Sequence, residues 1–475
     1  MLNFSKTLFF ALLAIIIAYW YSKWNAEKSV RNEMNVIDYW NQHIKLPDRS
    51  FTKVAVGINA CVDLIVSGSE LLKSLSIEPS ETVENHLQLQ TLKHLQETFS
   101  FSLSTGAAIE RPFTNEQLFR QVIDAASGLE KTFWYIGGNA ALIAQKIVSL
   151  SDNAQVQLVG PVGPRLKNLL HQRIHVPVYS ISSEDEVHLI MEYKSQQKWG
   201  PHTASCANRF ITSHDVSNSH MTLIDAFFKS VDEFKPDLVV LSGIHMLESQ
   251  PKSVWLERMD LLSRHLSVIP QNTALHLELA SMANHDLMQE SLEKVIPHVT
   301  SLGFNEQELK FMSNIGNGPH TSLKTTEGIL AIDRITDSML WLLKTYGHSD
   351  ILPESRLTRL HFHSLTFHVI ATVSAKWTNS ESAVASGTRM AGLQACDLQT
   401  LDPYKVKLKI PEKFDMHNNR KDFIFNVTNP VYSWTNGIYE FVFSPVLVCK
   451  HPIKTVGLGD AISATGLLYS QYINS

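Results

Sequence analysis

From Phe51 onward, short apolar runs alternate with stretches whose apolar residues recur every three or four positions. The runs Lys53–Ile58, Gln155–Val159, Asp237–Leu241, Ala274–Leu279 and Val299–Leu302 have the length and character of buried strands. Helical stretches follow several of them, at Val254–His265, His285–Val295, Glu306–Ser313 and Asp337–Tyr346. That alternation predicts an α/β fold with a mostly parallel sheet covered on both faces. Residues 64–130 and 181–215 interrupt it, and Glu186–Tyr193 alternates at period two, like a strand with one wet face. These insertions predict a small β-rich lid over the sheet's carboxyl edge, where ligands bind in such folds.

The first residues carry a different pattern. Thr7–Tyr21 is an apolar run of about 15 residues between Lys6 and Lys23, short for a spanning helix of roughly 20 and typical of a signal-peptide core. With Tyr19, Trp20 and Tyr21 as an interfacial belt, it could also span as a tilted signal anchor. The run ends in aromatics, a poor cleavage pattern, so residues 1–24 are expected to be an uncleaved or inefficiently cleaved signal. The expected destination is the endoplasmic reticulum, with secretion as the alternative and membrane association only through this segment. Residues 25–50 are polar and predict a stalk, which leaves 51–475 as one large domain with an elaboration.

Length and composition narrow the class. A chain of 475 residues, 44% hydrophobic and 18% charged, is ordinary for a folded protein. The net charge of -5 and scattered basic residues give no nucleic-acid footprint. Four cysteines, Cys61, Cys206, Cys396 and Cys449, are too few and too dispersed for a disulfide scaffold or a zinc site. Buried thiols are the expectation, with Cys396 and Cys449 the pair for one bridge in an oxidising lumen. Asn426-Val427-Thr428 is a glycosylation sequon.

The chemistry concentrates at strand exits. An apolar run, Tyr439 to Cys449, leads through Pro452 into Thr455-Val456-Gly457-Leu458-Gly459-Asp460, which opens a C-terminal helix. Glycines let the backbone turn tightly, and the first helical turn presents unpaired N–H groups to an anion. Asp460 stands where a carboxylate takes a proton from a hydroxyl attacking a phosphoryl group. His276-Leu277-Glu278 closes one strand, Asn305-Glu306-Gln307-Glu308 begins a helix after another, and Gly137-Gly138-Asn139-Ala140 opens a third helix. Acidic residues with an Asn suit Mg²⁺, a hard ion that needs few carboxylates when phosphates share it. Glu308 near a helix start and Asn305 as its cap are the plainer alternative.

These motifs together resemble the ADP-dependent glucokinases of the ribokinase-like superfamily. The matching segments run in order: Gly57–Asp63, Gly106–Arg111, Gly137–Ala140, Ala207–Phe210, Leu241–Met246, His276–Glu278, Asn305–Glu308 and Thr455–Gly466. The resemblance implies a doubly wound sheet and transfer of a phosphoryl group from ADP to glucose, with one Mg²⁺ per active site. It implies Asp460 as base, and Gly457, Leu458 and Gly459 with Asn305 and Arg209 at the nucleotide phosphates. Glu278, Glu308 and Asp460 would hold the metal, and Asn59, Asp63, Glu110, Gly138 and Asn139 the sugar. Cys61 departs from the family, whose archaeal members tend to carry a polar residue there, and Ile109 is bulkier than the expected alanine. The protein is expected to be a monomer. The alternatives are a kinase for another sugar such as fructose 6-phosphate, or a membrane-tethered pseudokinase.

Overall fold

Within residues 51–302, the apolar runs pair as a parallel sheet in the order Ala274–Glu278, Leu238–Ser242, Lys53–Ile58, Gln155–Val159 and Ile174–His175. Val54 stands opposite Leu238 on one side and Val156 on the other. Leu238–Ser242 and Ala274–Glu278 are buried along their whole length, which is why they read as unbroken apolar runs. The helices Asn139–Leu150 and Ile224–Phe234 pack against Lys53–Ile58. The computed structural model describes residues 2–321, 325–326, 329–410, 413–415, 422–453 and 456–474. They divide into two units, 51–302 and 1–50 with 303–475.

Some boundaries move. Asp237–Leu241 is realised as Leu238–Ser242, and Val299–Leu302 as Ser301–Phe304. In the second case a 3₁₀ turn occupies Ile296–His298. The Thr300 hydroxyl then takes part in the ladder, accepting from Leu275 N–H at 2.8 Å and donating to its carbonyl at 3.0 Å.

The same unit holds a second sheet, ordered Ile109–Pro112, Asn208–Ser213, Val187–Tyr193, Cys61–Ser67 and Phe133–Gly137. Both insertions supply strands to it, and Phe133–Gly137 adds an edge from outside them. One face is apolar. Leu64, Val66, Leu189, Met191, Tyr193 and Phe210 bury against Leu95, Phe99 and Leu103 of the helix Leu92–Thr105, and against Phe119 and Val122 of Glu116–Ser127. Register sets the other face: Asp63 pairs with His188, Glu192 with Arg209, and Ile211 with Glu110. Alternation therefore gathers Cys61, Asp63, Glu110, His188 and Arg209 on the face opposite the core.

In the other unit, the strands Arg359–His363, Phe367–Val373, Tyr439–Pro445 and Tyr432–Asn436 pair antiparallel in that order. The helices Ser380–Ala395 and Leu458–Leu468 pack on one another. The run Tyr439–Cys449 is broken at Val446, whose N–H donates to Thr366 O, and resumes as Leu447–Cys449 against Val406–Leu408. Cys396 and Cys449, the candidate pair for one bridge, are disulfide-bonded across a Cα–Cα distance of 5.5 Å rather than remaining the expected thiols. Cys61 is a buried thiol as expected, whereas Cys206 is exposed.

The stalk reading is replaced. A single helix runs Leu2–His43, and its last turns belong to the core. Val36 and Trp40, one turn apart, are fully buried among Ile370, Ala383, Val384 and Val442. Glu33, also buried, accepts from the Leu408 N–H at 2.9 Å, which anchors a third point. Farther back, Leu12, Ile15, Ile16, Ile17, Trp20 and Trp24 are exposed. Among the described residues no helix is long and apolar enough to cross a membrane.

Trp40→Ala is expected to lower the stability of this unit by about 3–5 kcal/mol, the usual cost of truncating a buried aromatic. Denaturant unfolding of the full chain measures it. A loss under about 1 kcal/mol would mean that the helix end lies loosely on the unit.

Candidate functional site

The strand Lys53–Ile58 passes into the second sheet through two residues, Asn59 and Ala60. Asn218 clamps that joint. Its Oδ1 accepts the Ala60 N–H at 3.1 Å and its Nδ2 donates to the Ala60 carbonyl at 2.9 Å. Asn218 Nδ2 also reaches Asp215 Oδ2 at 2.6 Å, and Asp215 Oδ1 caps the short helix Val216–Ser219 by accepting from Asn218 N–H at 2.9 Å. The Asn59 carbonyl accepts from Ala140 N–H at 3.1 Å, tying the helix Asn139–Leu150 to the same joint.

Gly138 caps that helix with φ 77°, and a Cβ there would overlap Asn59 Oδ1. Only glycine meets both conditions. Asn59 Oδ1 is itself buried without a hydrogen-bond partner among the described residues. A buried acceptor left open is costly unless something fills it, and a ligand hydroxyl would do so.

Asp63 and Cys61 follow on the wet face of the second sheet. Cys61 Sγ lies 3.8 Å from Asp63 Oδ1. His188, across the ladder from Asp63, holds Asp215 Oδ2 through Nε2 at 2.9 Å and has Glu110 Oε1 at 4.0 Å from Nδ1. Burial pushes the Asp63 carboxyl up to about 6, with Glu110 adding to the rise and His188 and Arg209 opposing it. Burial likewise pushes the Cys61 thiol up to about 12. For His188 burial works against the charged form, but Cys61 and the hydrogen-bonded Asp215 outweigh it and raise its pKa well above the usual value. A shielded carboxylate facing an imidazolium is a firm acceptor for hydroxyl groups.

Asn59, Asp63, Glu110, Gly138 and Asn139 thus lie around one joint between two sheets. Arg209 stands on the same sheet face, near enough to act on Asp63. His188, Asp215 and Asn218 were not among the sequence candidates. The period-two alternation of Glu186–Tyr193 sets His188 on the same side as Glu186 and Glu192. Nothing local marks Asp215 or Asn218, which act across 27 and 158 residues.

In the other unit, Gly457 adopts φ 66° and caps the helix Leu458–Leu468, so that Leu458, Gly459 and Asp460 form its first turn. Gln394 Nε2 donates to the Gly457 carbonyl at 3.1 Å, steadying the turn. A Cβ on Gly459 would come within 3.1 Å of the His363 ring. Asp460 is buried. Thr455, which opens the expected run, lies outside the described residues.

Asn305 and Glu308 form a full capping box on the helix Glu306–Ile315. Asn305 Oδ1 accepts from the N–H groups of Gln307 and Glu308, at 2.8 and 3.2 Å. Glu308 accepts from Asn305 N–H at 2.7 Å and from Asn305 Nδ2 at 2.9 Å. The plainer alternative for these two residues is therefore realised. In the unit 51–302, buried Glu278 meets His276 Nε2 at 3.0 Å, and His276 Nδ1 lies 2.9 Å from Ser301 Oγ.

Residues 52–469 match the family described as ADP-specific phosphofructokinase/glucokinase conserved region. A Bos taurus protein named ADP-dependent glucokinase is 44% identical over 435 residues, covering 91% of this chain and 87% of its own. A Caenorhabditis elegans protein named probable ADP-dependent glucokinase is 38% identical, covering 98% of this chain and 95% of its own. Among solved structures, a hypothetical ADP-dependent phosphofructokinase from Pyrococcus horikoshii OT3 superposes with a TM-score of 0.66 at 19% identity. It covers 90% of this chain and 98% of that one. The ribokinase-like α/β fold expected from the motifs is the fold of the chain.

The raised Asp63 pKa has a sign. Moving from 3.8 to about 6 on folding means the native state holds this proton more tightly than the unfolded chain. Its contribution is fully present below about pH 4 and is lost as pH rises through about 6. Asp63→Asn cannot ionise, so its stability should decline less between pH 4 and 7, by about 2–3 kcal/mol at 1.36 kcal/mol per pKa unit. Urea unfolding across that range decides it, and parallel curves for variant and wild type would reject the assignment.

Proposed function

The chain belongs to the ADP-specific phosphofructokinase/glucokinase family, and from that premise we propose that it acts as an ADP-dependent glucokinase. It transfers the β-phosphoryl of ADP to the 6-hydroxyl of glucose, giving AMP and glucose 6-phosphate. The observation that carries the choice of sugar is the wet face around Asn59. Its carboxylates Asp63 and Glu110 and the open Asn59 Oδ1 are acceptors for hydrogen bonds from sugar hydroxyls. The same carboxylates repel a sugar that already bears a phosphate. Asn139 and the Gly138 backbone complete the polar set. Sites that hydrogen-bond their substrate also reject analogues lacking those groups.

Phosphoryl transfer asks the protein for position and charge rather than covalent chemistry. Asp460 accepts the hydroxyl proton, and the amides that begin its helix hold the developing charge. Arg209 and Asn305 are assigned to the phosphates. Mg²⁺ suits the carboxylate set Glu278, Glu308 and Asp460, whose donors are all oxygen; when bound it supplies charge neutralisation for the phosphates.

Residence in the endoplasmic reticulum belongs to the same proposal, supported by the apolar Thr7–Tyr21 run and the exposed Asn426. Endoglycosidase should then change the mobility of the cell-expressed protein. Complete digestion of the domain by protease added to intact microsomes would instead put it in the cytosol.

A coupled assay of the full chain tests the activity. The anion hole at Gly457–Asp460 fixes where the transferred phosphoryl sits, so a donor with one more phosphate is displaced, and about 1 Å can cost 10²-fold. With glucose, kcat/KM should favour ADP over ATP by at least ~10². Asp460→Ala should lower kcat by at least ~10² with ADP binding kept. Equal use of both donors, preference for fructose 6-phosphate, or near-wild-type turnover of the variant would each overturn the corresponding part.

A further inference from the structure

Around Asp63 the donor set differs in kind from the all-oxygen set assigned to Mg²⁺. A Cys61 sulfur, an Asp63 oxygen and a His188 ring nitrogen all lie within 4.8 Å of one another. Donors on a tetrahedral zinc ion stand roughly 3.3–3.8 Å apart, given bonds of about 2.0–2.3 Å. Cys61 Sγ and Asp63 Oδ1 are already at 3.8 Å, so small side-chain rotations would close the set. Glu110 Oε1, 4.0 Å from His188 Nδ1 and half exposed, offers a fourth donor at the open side.

The imidazole is held as metal-bound imidazoles are held. His188 Nε2 is engaged by Asp215 at 2.9 Å, and Asp215 is engaged in turn by Asn218. A carboxylate on the far nitrogen fixes the ring and strengthens the near nitrogen as a ligand. Thiol, imidazole and carboxylate together select a borderline-soft cation over Mg²⁺. Zinc takes a thiolate and a neutral imidazole, so its binding is coupled to proton release.

We propose that Cys61, Asp63, Glu110 and His188 form a site for Zn²⁺ that occupies the sugar pocket, so that zinc and glucose exclude one another. The metal site stands on these side chains alone. Its competition with glucose rests on the functional reading above.

Cobalt reports on the site without any assay of turnover. In the full chain carrying Cys206→Ser, which removes the exposed free thiol, Co²⁺ should bind with one equivalent. It should give a thiolate-to-cobalt charge-transfer band that Zn²⁺ displaces. Cys61→Ser should abolish the band, and Asp215→Asn should weaken cobalt affinity by about 10–100-fold. Saturating glucose should suppress the band in the parent protein. Absence of the band, or its survival in Cys61→Ser, would overturn the site. Should Cys61→Ser not fold, as judged by its thermal unfolding, His188→Gln serves instead, and undiminished cobalt affinity there would overturn it equally. A band that persists under glucose would overturn the shared pocket. A chain that fails to phosphorylate glucose would leave the cobalt result standing, which separates the two readings.

Discussion

The candidate sugar site depends on one residue being held at both its N–H and its carbonyl. Ala60 stands where the chain leaves a strand of the parallel sheet and enters a sheet with one apolar face and one face that carries polar side chains. A joint of that kind has no ladder of its own, and unpaired buried backbone groups are costly. The Asn218 amide replaces the missing ladder by meeting the N–H and the carbonyl together. With Ala60 fixed, Asn59 is set on one side of it, and Cys61 and Asp63 on the other. The glycines at 137 and 138 then leave room for the side chains that the joint projects.

Electrostatics builds on that scaffold. Asp63, Cys61 and His188 are buried together, an arrangement that burial alone would drive to neutrality. Asp215 reverses the outcome for His188, and a cation beside Asp63 offsets part of the burial that raises it. The clamp and the charge relay share Asp215 and Asn218, so the geometry of the joint and the protonation of the pocket are one system. In the other unit the same economy appears at Asp460, where a glycine turn braced by Gln394 fixes a helix start.

Much of this was legible in the residues. Strands buried on both faces read as continuous apolar runs, and Gly457–Asp460 reads as a turn into a helix because few sequences permit one. The G-G-N run reads as a helix opening for the same reason, whereas its link with the Asn59–Asp63 segment to a sugar is what the family resemblance implies. What stayed hidden was long-range or sparse. Asp215 and Asn218 are ordinary residues until the fold brings them to His188 and Ala60. The supposed stalk hides its burial in a short patch, where Val36 and Trp40 are buried and Ile37, Tyr39 and Ile44 pack beside them, in a segment that is otherwise polar.

The capping box at Asn305 and Glu308 carries a consequence for inheritance. Each residue satisfies a backbone or side-chain group of the other, so a change at either unseats the start of the helix, at a cost of about 0.5–2 kcal/mol. A lineage that no longer needed the enzyme would still feel that loss through the folded fraction of its protein. The two positions would therefore decay later than the rest of the site. In a descendant that has lost its activity, an intact Asn305–Glu308 pair would be a record of folding rather than of chemistry.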